Sequence, residues 1–193
     1  MNQLLTTRLG FIAIALLTLI MPIASAKMPP IKDISVPLQS QVPEISVTDI
    51  NGTPKTIKDL SGDKGLVLVF FRSADWCGYC IKHLKEINHW SDKFNELGYQ
   101  VAAISYDSVD ILKEFSDKNN LKYPLLADQN NKTMEDLKVL NDEQKPGGKH
   151  YGIPFPGVMI IDANGKLAYK YFYKGYKKRV IMENLYEQLK TGI

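Results

Sequence analysis

The sequence predicts an α/β chain: a central mixed β-sheet flanked by helices, with an N-terminal β-hairpin and an inserted helix. Three stretches lead to this. Leu66 to Phe71 is an unbroken apolar run, long enough for a strand buried on both faces, and it stops at the polar Arg72, Ser73 and Asp75. After it, Leu84, Ile87, Trp90, Phe94 and Leu97 recur at helical spacing with Lys82, Lys85, Glu86 and Asp92 between them. Val101 to Ile104 then begins another strand, and a β-α-β unit of this kind joins parallel strands. Late in the chain, Val158 to Ile161, the Asn164-Gly165 turn and Leu167 to Tyr173 read as a hairpin, which adds an antiparallel strand to the sheet.

The remaining elements follow in order. Met1 to Ala26 reads as an export signal: Arg8 carries positive charge, Leu9 to Ile20 is an apolar core, and Ala24-Ser25-Ala26 is a small-residue cleavage site that would leave Lys27 as the mature N-terminus. The alternative is an uncleaved membrane anchor, since the apolar segment approaches the lower length limit for a spanning helix. Either reading puts the folded part outside the cytoplasm, with a periplasm as the expected compartment. Residues 27–41, with Pro29, Pro30 and Pro37, are expected to form a flexible segment, and 42–191 a single domain. Ile45 and Val47 alternate with polar neighbours and Asn51-Gly52 offers a tight turn before Ile57, which predicts the N-terminal hairpin. Asp59 to Gly65 reads as a polar loop.

Gly98 is a natural stop for the long helix. A second helix begins near Asp107 or Ser108 and carries Ile111, Leu112 and Phe115. The short apolar segment Tyr123 to Ala127 and a helix through Met134 and Leu137 follow. Asn141 to Pro156 holds Pro146, Gly147, Gly148, Gly152, Pro154 and Pro156 without periodicity, so it reads as a loop of the length that tends to carry function. Val180, Ile181, Leu185 and Leu189 make the closing helix.

Composition narrows the function. The 24 basic and 21 acidic residues nearly balance, so no strong overall field draws the chain to nucleic acid or to an acidic lipid surface. The only two cysteines, Cys77 and Cys80, are three apart; a bond between them closes a tiny loop and constrains the unfolded chain far less than a long-range bridge would. The pair is there to react. At a helix N-terminus, unpaired N–H groups and the helix dipole favour a thiolate, and cysteines in such settings have pKa values of roughly 3.5 to 7.5. Cys77, at the mouth of the helix, is the expected attacking sulfur, and Cys80, one turn in and more buried, its resolving partner.

The order β-α-β then β-β-α, with Trp76-Cys77-Gly78-Tyr79-Cys80 at the first strand-to-helix junction, resembles the thioredoxin fold over nearly all of Val42 to Lys190. Ile104 to Asp107, Tyr123 to Asp128 and Pro156 to Gly165 are similar to the redoxin branch, which includes the alkyl hydroperoxide reductase and thiol-specific antioxidant family and exported thioredoxin-like reductases. The resemblance implies a substrate-binding edge made of Trp76, Phe155 and Pro156, with a cis bond at Phe155-Pro156 facing the cysteines. It also implies what is missing. Peroxiredoxins of this branch use a Pro, a Thr or Ser three before the cysteine, and a late-strand Arg to bind peroxide; here those positions hold Phe70, Ala74 and Pro156. The buried Asp that thioredoxin places six residues before its first cysteine is Phe71, which leaves Asp107, Asp75 or water as the acid-base partner of Cys80.

The expected activity is therefore thiol-disulfide exchange through a mixed disulfide, with protein thiols or disulfides as substrates, an upstream electron donor as partner, and no cofactor or metal. A peroxiredoxin-type thiol peroxidase and a copper-binding thioredoxin-like chaperone are the alternatives. A zinc or copper site gains little from His83, His89 and His150, which form no paired motif, and Ile81 after Cys80 argues against haem attachment. His83 and His89 read as packed or solvated helix residues, and Tyr169, Tyr171 and Tyr173 as one face of a strand covering a helix. Lys177, Lys178 and Arg179 read as the solvated start of the last helix. Lys149, His150 and Tyr151 reach substrate only if their loop folds over Cys77. Asn51-Gly52-Thr53 and Asn131-Lys132-Thr133 match the glycosylation sequon, which matters only in a eukaryotic secretory pathway.

Overall fold

The computed structural model describes residues 34–173 and 175–192. The export signal and the start of the proline-rich segment lie outside them. Among the described residues, no helix is long and apolar enough to cross a membrane.

Seven strands form one mixed sheet in the order β2-β1-β5-β4-β3-β6-β7. At its centre, β3 (Gly65–Phe70) runs parallel to β4 (Tyr99–Ser105) and antiparallel to β6 (Gly157–Asp162). The late hairpin closes one edge through β7 (Leu167–Phe172), antiparallel to β6. At the other edge, β5 (Leu125–Ala127) is parallel to β4 and receives the N-terminal hairpin, β1 (Val47–Asp49) and β2 (Pro54–Lys55). The Leu66 to Phe71 run is fully buried, and alternation sorts it between two layers. Val67, Val69 and Phe71 face an apolar cluster with Leu84, Ile87 and Phe94 of α2 (Gly78–Glu96), Leu112 of α3 (Val109–Asn119) and Leu185 of α5 (Met182–Thr191). Leu66, Leu68 and Phe70 face the other cluster, with Leu60, Met134, Leu137 and Phe155.

The polar loop expected over Asp59 to Gly65 is in part a one-turn helix, α1 (Ile57–Leu60). Thr56 and Asp59 build a reciprocal cap: the Thr56 hydroxyl accepts the Asp59 N–H at 3.2 Å, and the Asp59 carboxylate accepts the Thr56 N–H at 2.9 Å. The remaining helix, α4 (Lys132–Asp136), follows β5. Ser108 caps α3 by accepting the Ile111 N–H, and Gly98 sits at φ +88° just past α2, as a helix stop requires.

The described part of the segment expected to be flexible is docked. Ile34 and Val36 are buried in the second cluster, the Ser35 N–H donates to the Lys138 carbonyl, and the Gln39 and Val42 N–H groups donate to Leu167 and Gly165. The prolines block helix but leave apolar side chains free to cover that face of the sheet, so the folded body reaches back at least to Ile34.

Gly65 enters β3 at φ +136°, with the Ile161 and Asp162 backbone of β6 where a side chain would stand. Gly65→Ala is therefore expected to cost roughly 2 kcal/mol or more, from left-handed backbone strain and a displaced β6 together. A urea denaturation midpoint equal to that of the parent would refute this.

Candidate active site

The site forms where β3 ends. Cys77 is the N-cap of α2, in extended conformation, and its sulfur accepts the Cys80 N–H at 3.3 Å. Its carbonyl takes the Cys80 and Ile81 N–H groups at 2.8 and 3.0 Å, so the first turn is closed around it. Cys77 and Cys80 are joined as a disulfide with their Cα atoms 5.2 Å apart. Cys77 is 4% exposed and Cys80 fully buried, so of the two sulfur-bearing residues only the outer one keeps any access to solvent.

The turn from β3 into α2 is pinned from beneath. Asp107, buried just after β4, accepts the Ala74 N–H at 2.7 Å and the Ser105 hydroxyl at 3.1 Å, while the Ser73 hydroxyl accepts the Asp75 and Trp76 N–H groups. Burial pushes the Asp107 carboxyl above its ordinary range, against the pull of these hydrogen bonds. Asp107 holds the loop before Cys77; among its hydrogen bonds none goes to a sulfur. Asp75 is exposed and its backbone, not its carboxylate, takes part in the turn.

The main difference from the sequence expectation is Arg179. Instead of starting a solvated helix, residues 176–181 cross the N-terminal end of α2 in non-helical form, and α5 begins only at Met182. Lys177 and Lys178 are exposed, but Val180 is buried and Arg179 turns inward. Its Nη2 lies 3.2 Å from Cys80 Sγ and 4.0 Å from Cys77 Sγ, and its Nη1 donates to the Tyr176 and Lys178 carbonyls at 2.7 and 2.8 Å. Loss of water and repulsion from Arg72 lower the Arg179 pKa to about 10, so it keeps its charge at neutral pH. This is the partner that the Cys80 sulfur lacked in the sequence: a guanidinium that stabilises a thiolate without accepting its proton.

His83, one turn beyond Cys80, helps to hold the crossing segment. It is buried beside the Val180 backbone, and its Nε2 has no hydrogen-bond partner among the described residues. Burial, with the positive charge of Arg179 behind it, depresses its pKa to about 4 against the pull of the Val180 backbone, so the ring is neutral at physiological pH. His89 is exposed, with Nδ1 2.7 Å from the Lys85 carbonyl of its own helix. No sequence signal marked Arg179, because its approach depends on a loop whose path only the tertiary packing sets.

Around the sulfurs, Trp76 is exposed, donates its indole N–H to the Tyr106 hydroxyl at 3.0 Å, and stacks on His150 with centroids 4.3 Å apart. The long glycine- and proline-rich loop thus does reach the dithiol end of the sheet. Phe155 stands at the same end, two residues before β6, but its ring lies in the second cluster, on the opposite face from Cys77 and Cys80, and its N–H donates to the Val139 carbonyl. Pro156 is buried at the entry to β6, with its carbonyl accepting the Tyr173 N–H at 3.4 Å. The expected cis bond at Phe155-Pro156 is trans, as is every described peptide bond, and the chain continues from the Leu140–Pro154 bridge into β6. Tyr169 and Tyr171 cover the same apolar layer as α2 and α5, and the Tyr173 hydroxyl donates to that of Tyr171. Among the described residues, no group of three or more His, Cys, Asp or Glu is arranged to hold a metal.

A cysteine pair where the central strand β3 runs into α2 of such a sheet defines a thiol-based redox enzyme with a thioredoxin-like fold. The AhpC/TSA family model matches residues 38–170, and the chain belongs to that family. Among its relatives, the thiol-disulfide oxidoreductase ResA of Bacillus thuringiensis (strain Al Hakam) is 30% identical over 151 residues, 77% of this chain and 72% of the relative. Peroxiredoxin bcp1 of Schizosaccharomyces pombe is 34% identical over 124 residues, 62% of each chain. In structure, peroxidoxin BcpB of Mycobacterium tuberculosis superposes with a TM-score of 0.68 at 20% identity, over 83% of this chain and 99% of that one. That likeness shows the fold; the relatives by sequence divide between two redox chemistries.

Proposed function

We propose that this chain is an exported thiol-disulfide oxidoreductase that reduces or exchanges protein disulfides. The observation that carries it is the closed Cys77–Cys80 pair with Arg179 against the inner sulfur. In the reducing direction, the Cys77 thiolate attacks one sulfur of a substrate disulfide and expels the other as a thiolate, leaving a mixed disulfide. The Cys80 thiolate then attacks Cys77 Sγ, the second substrate thiolate departs, and two electrons have passed from the dithiol to the substrate. An upstream dithiol donor restores the pair. Arg179 serves both halves: its charge favours the Cys80 sulfur as a thiolate when that sulfur attacks, and stabilises it as a leaving group when the donor opens the bond. Export rests on Arg8, the apolar run Leu9 to Ile20 and the Ala24-Ser25-Ala26 site. The fully reduced protein is expected to accelerate insulin-disulfide reduction; a protein that keeps both thiols and passes no electrons to insulin rules this reading out.

A thiol peroxidase is the second reading, favoured by one observation: Arg179 brings to the sulfurs the positive charge that the late strand does not supply. Ala74 and Phe70 still leave the hydroxyl and proline positions unfilled. The expected outcome in stopped flow is that peroxide oxidises the reduced protein no faster than an ordinary low-pKa thiol. Fast, saturable peroxide turnover would move the protein to the antioxidant class.

A further inference from the structure

Two guanidinium groups flank the dithiol, and among the described residues neither is paired with a carboxylate. Arg179 Nη2 points at the sulfurs, while the Arg72 charge lies over the faces of Trp76 and Tyr176, at 4.7 and 5.2 Å from their ring centroids. Both are half-buried, each has a buried Nε without a hydrogen-bond partner, and each is disfavoured as a cation: Arg72 by loss of water, Arg179 by loss of water and by Arg72 itself. The nearby carboxylates do not relieve this. Asp107 is spent on Ala74, Ser73 and Ser105 from beneath the loop, and Asp75 makes no ion pair with either arginine. Arg179 meets the thiolate of the reduced pair, whereas Arg72, with only aromatic faces against it, has no counter-charge among the described residues, and a partly dehydrated cation in that state is costly unless something negative is to be bound beside it.

We infer that Arg72, with the charge of Arg179 behind it, forms a carboxylate-binding subsite beside the dithiol, so that the preferred substrates are peptide disulfides with an acidic residue next to the cysteine. The inference rests on the exchange reading and specifies its substrate. The Nη end of Arg72 fits a planar carboxylate bidentately, whereas Arg179 has its Nη groups on two carbonyls and the sulfurs and adds only charge; the group held must lie within a residue of a sulfur that reaches Cys77. The exposed rings of Trp76, Tyr79 and Tyr176 surround that position, with Tyr79 edge-on to Tyr176 at 5.8 Å, and offer apolar faces to the backbone on either side of the acidic residue. The overall charge is nearly balanced, so the attraction is local to this end of the sheet.

The test compares three peptide disulfides that differ only in the residue beside the cysteine, Glu, Gln or Lys, with hydroxyethyl disulfide as an uncharged control. The wild-type protein is expected to turn over the Glu peptide with kcat/KM about 10-fold above the Gln peptide and more above the Lys peptide. The difference should lie mainly in KM and shrink as salt rises from 0.05 to 0.5 M. Arg72→Gln should bring the Glu-to-Gln ratio close to one, and Arg72→Lys should restore part of it. Equal turnover of all three peptides by the wild type, or a ratio unmoved by Arg72→Gln, overturns the subsite; the salt series on the wild type decides the matter even if the variant fails to fold. Failure of the exchange reading looks different: no turnover of any disulfide, the control included. In that event, saturable quenching of tryptophan fluorescence by a Glu peptide carrying Ser for Cys, absent with the Lys version, still supports the subsite, and equal responses to both refute it.

Discussion

Cys77→Ser is expected to reduce insulin-disulfide reduction to the uncatalysed background, whereas Cys80→Ser is expected to accumulate mixed disulfides on Cys77. The asymmetry follows from the first turn of α2. Cys77 is the helix cap, its sulfur receives a backbone N–H, and it retains slight exposure, so it alone is placed to meet a substrate sulfur. Cys80 is fully buried and faces Arg179, so it acts only on what Cys77 has already captured. A hydroxyl in place of the outer sulfur removes the nucleophile, since serine does not ionise at neutral pH and forms no disulfide. In place of the inner sulfur it leaves the first step intact and blocks release. Mass spectrometry of the adducts, with the insulin assay alongside, checks both arms. Undiminished activity in Cys77→Ser would transfer the attacking role to Cys80, and rapid release from Cys80→Ser would mean that an outside thiol resolves the intermediate.

Acidification should expose the neutral histidine in the core. His83 has a folded pKa of about 4 against 6.5 for an unperturbed histidine, so between those values the unfolded chain binds more protons than the folded one. The stability it lends is complete above pH 6.5 and is lost as pH falls towards 4, by about 3 kcal/mol over that window. Asp107 and Asp128 act with the opposite sign: burial raises their folded pKa values, so their contribution is present at low pH and fades as pH rises. Comparison with His83→Gln cancels those carboxylates. Between pH 7 and pH 4 the wild type should lose about 3 kcal/mol relative to the variant in urea unfolding. Parallel pH profiles for the two proteins would show that the ring titrates alike in both states.

The parts of this molecule legible in the sequence are those fixed by short-range pattern. The double-faced apolar run of β3, the stripe on α2, the Asn51-Gly52 and Asn164-Gly165 turns and the Cys77–Cys80 pair each carry their own signal, and each forms where expected. The capping box at Thr56 and Asp59 is equally local, but the single turn it opens is too short to show periodicity, and its end falls in the stretch from Asp59 that reads as a loop. Arg179, Phe155 and the docked residues from Ile34 were not legible in this way. Arg179 reaches the sulfurs on a segment anchored by Val180 in the apolar cluster that α2 shares, about a hundred positions later in the chain, and Phe155 enters the second layer because its strand entry is set by the Leu140–Pro154 bridge. Such placements depend on contacts between distant segments, and charge or proline content gives no measure of them.

The family model ends at residue 170, and the guanidinium that faces the inner sulfur comes after it. On the role proposed for Arg179, chemistry at the dithiol depends on a segment outside the family's matched region as well as on the Cys77–Cys80 motif, and homologues with identical cysteine spacing need not share it. An epitope or fusion partner joined behind α5 sits one helix away from the crossing segment, so the choice of which terminus to tag is itself a variable in any assay of this enzyme.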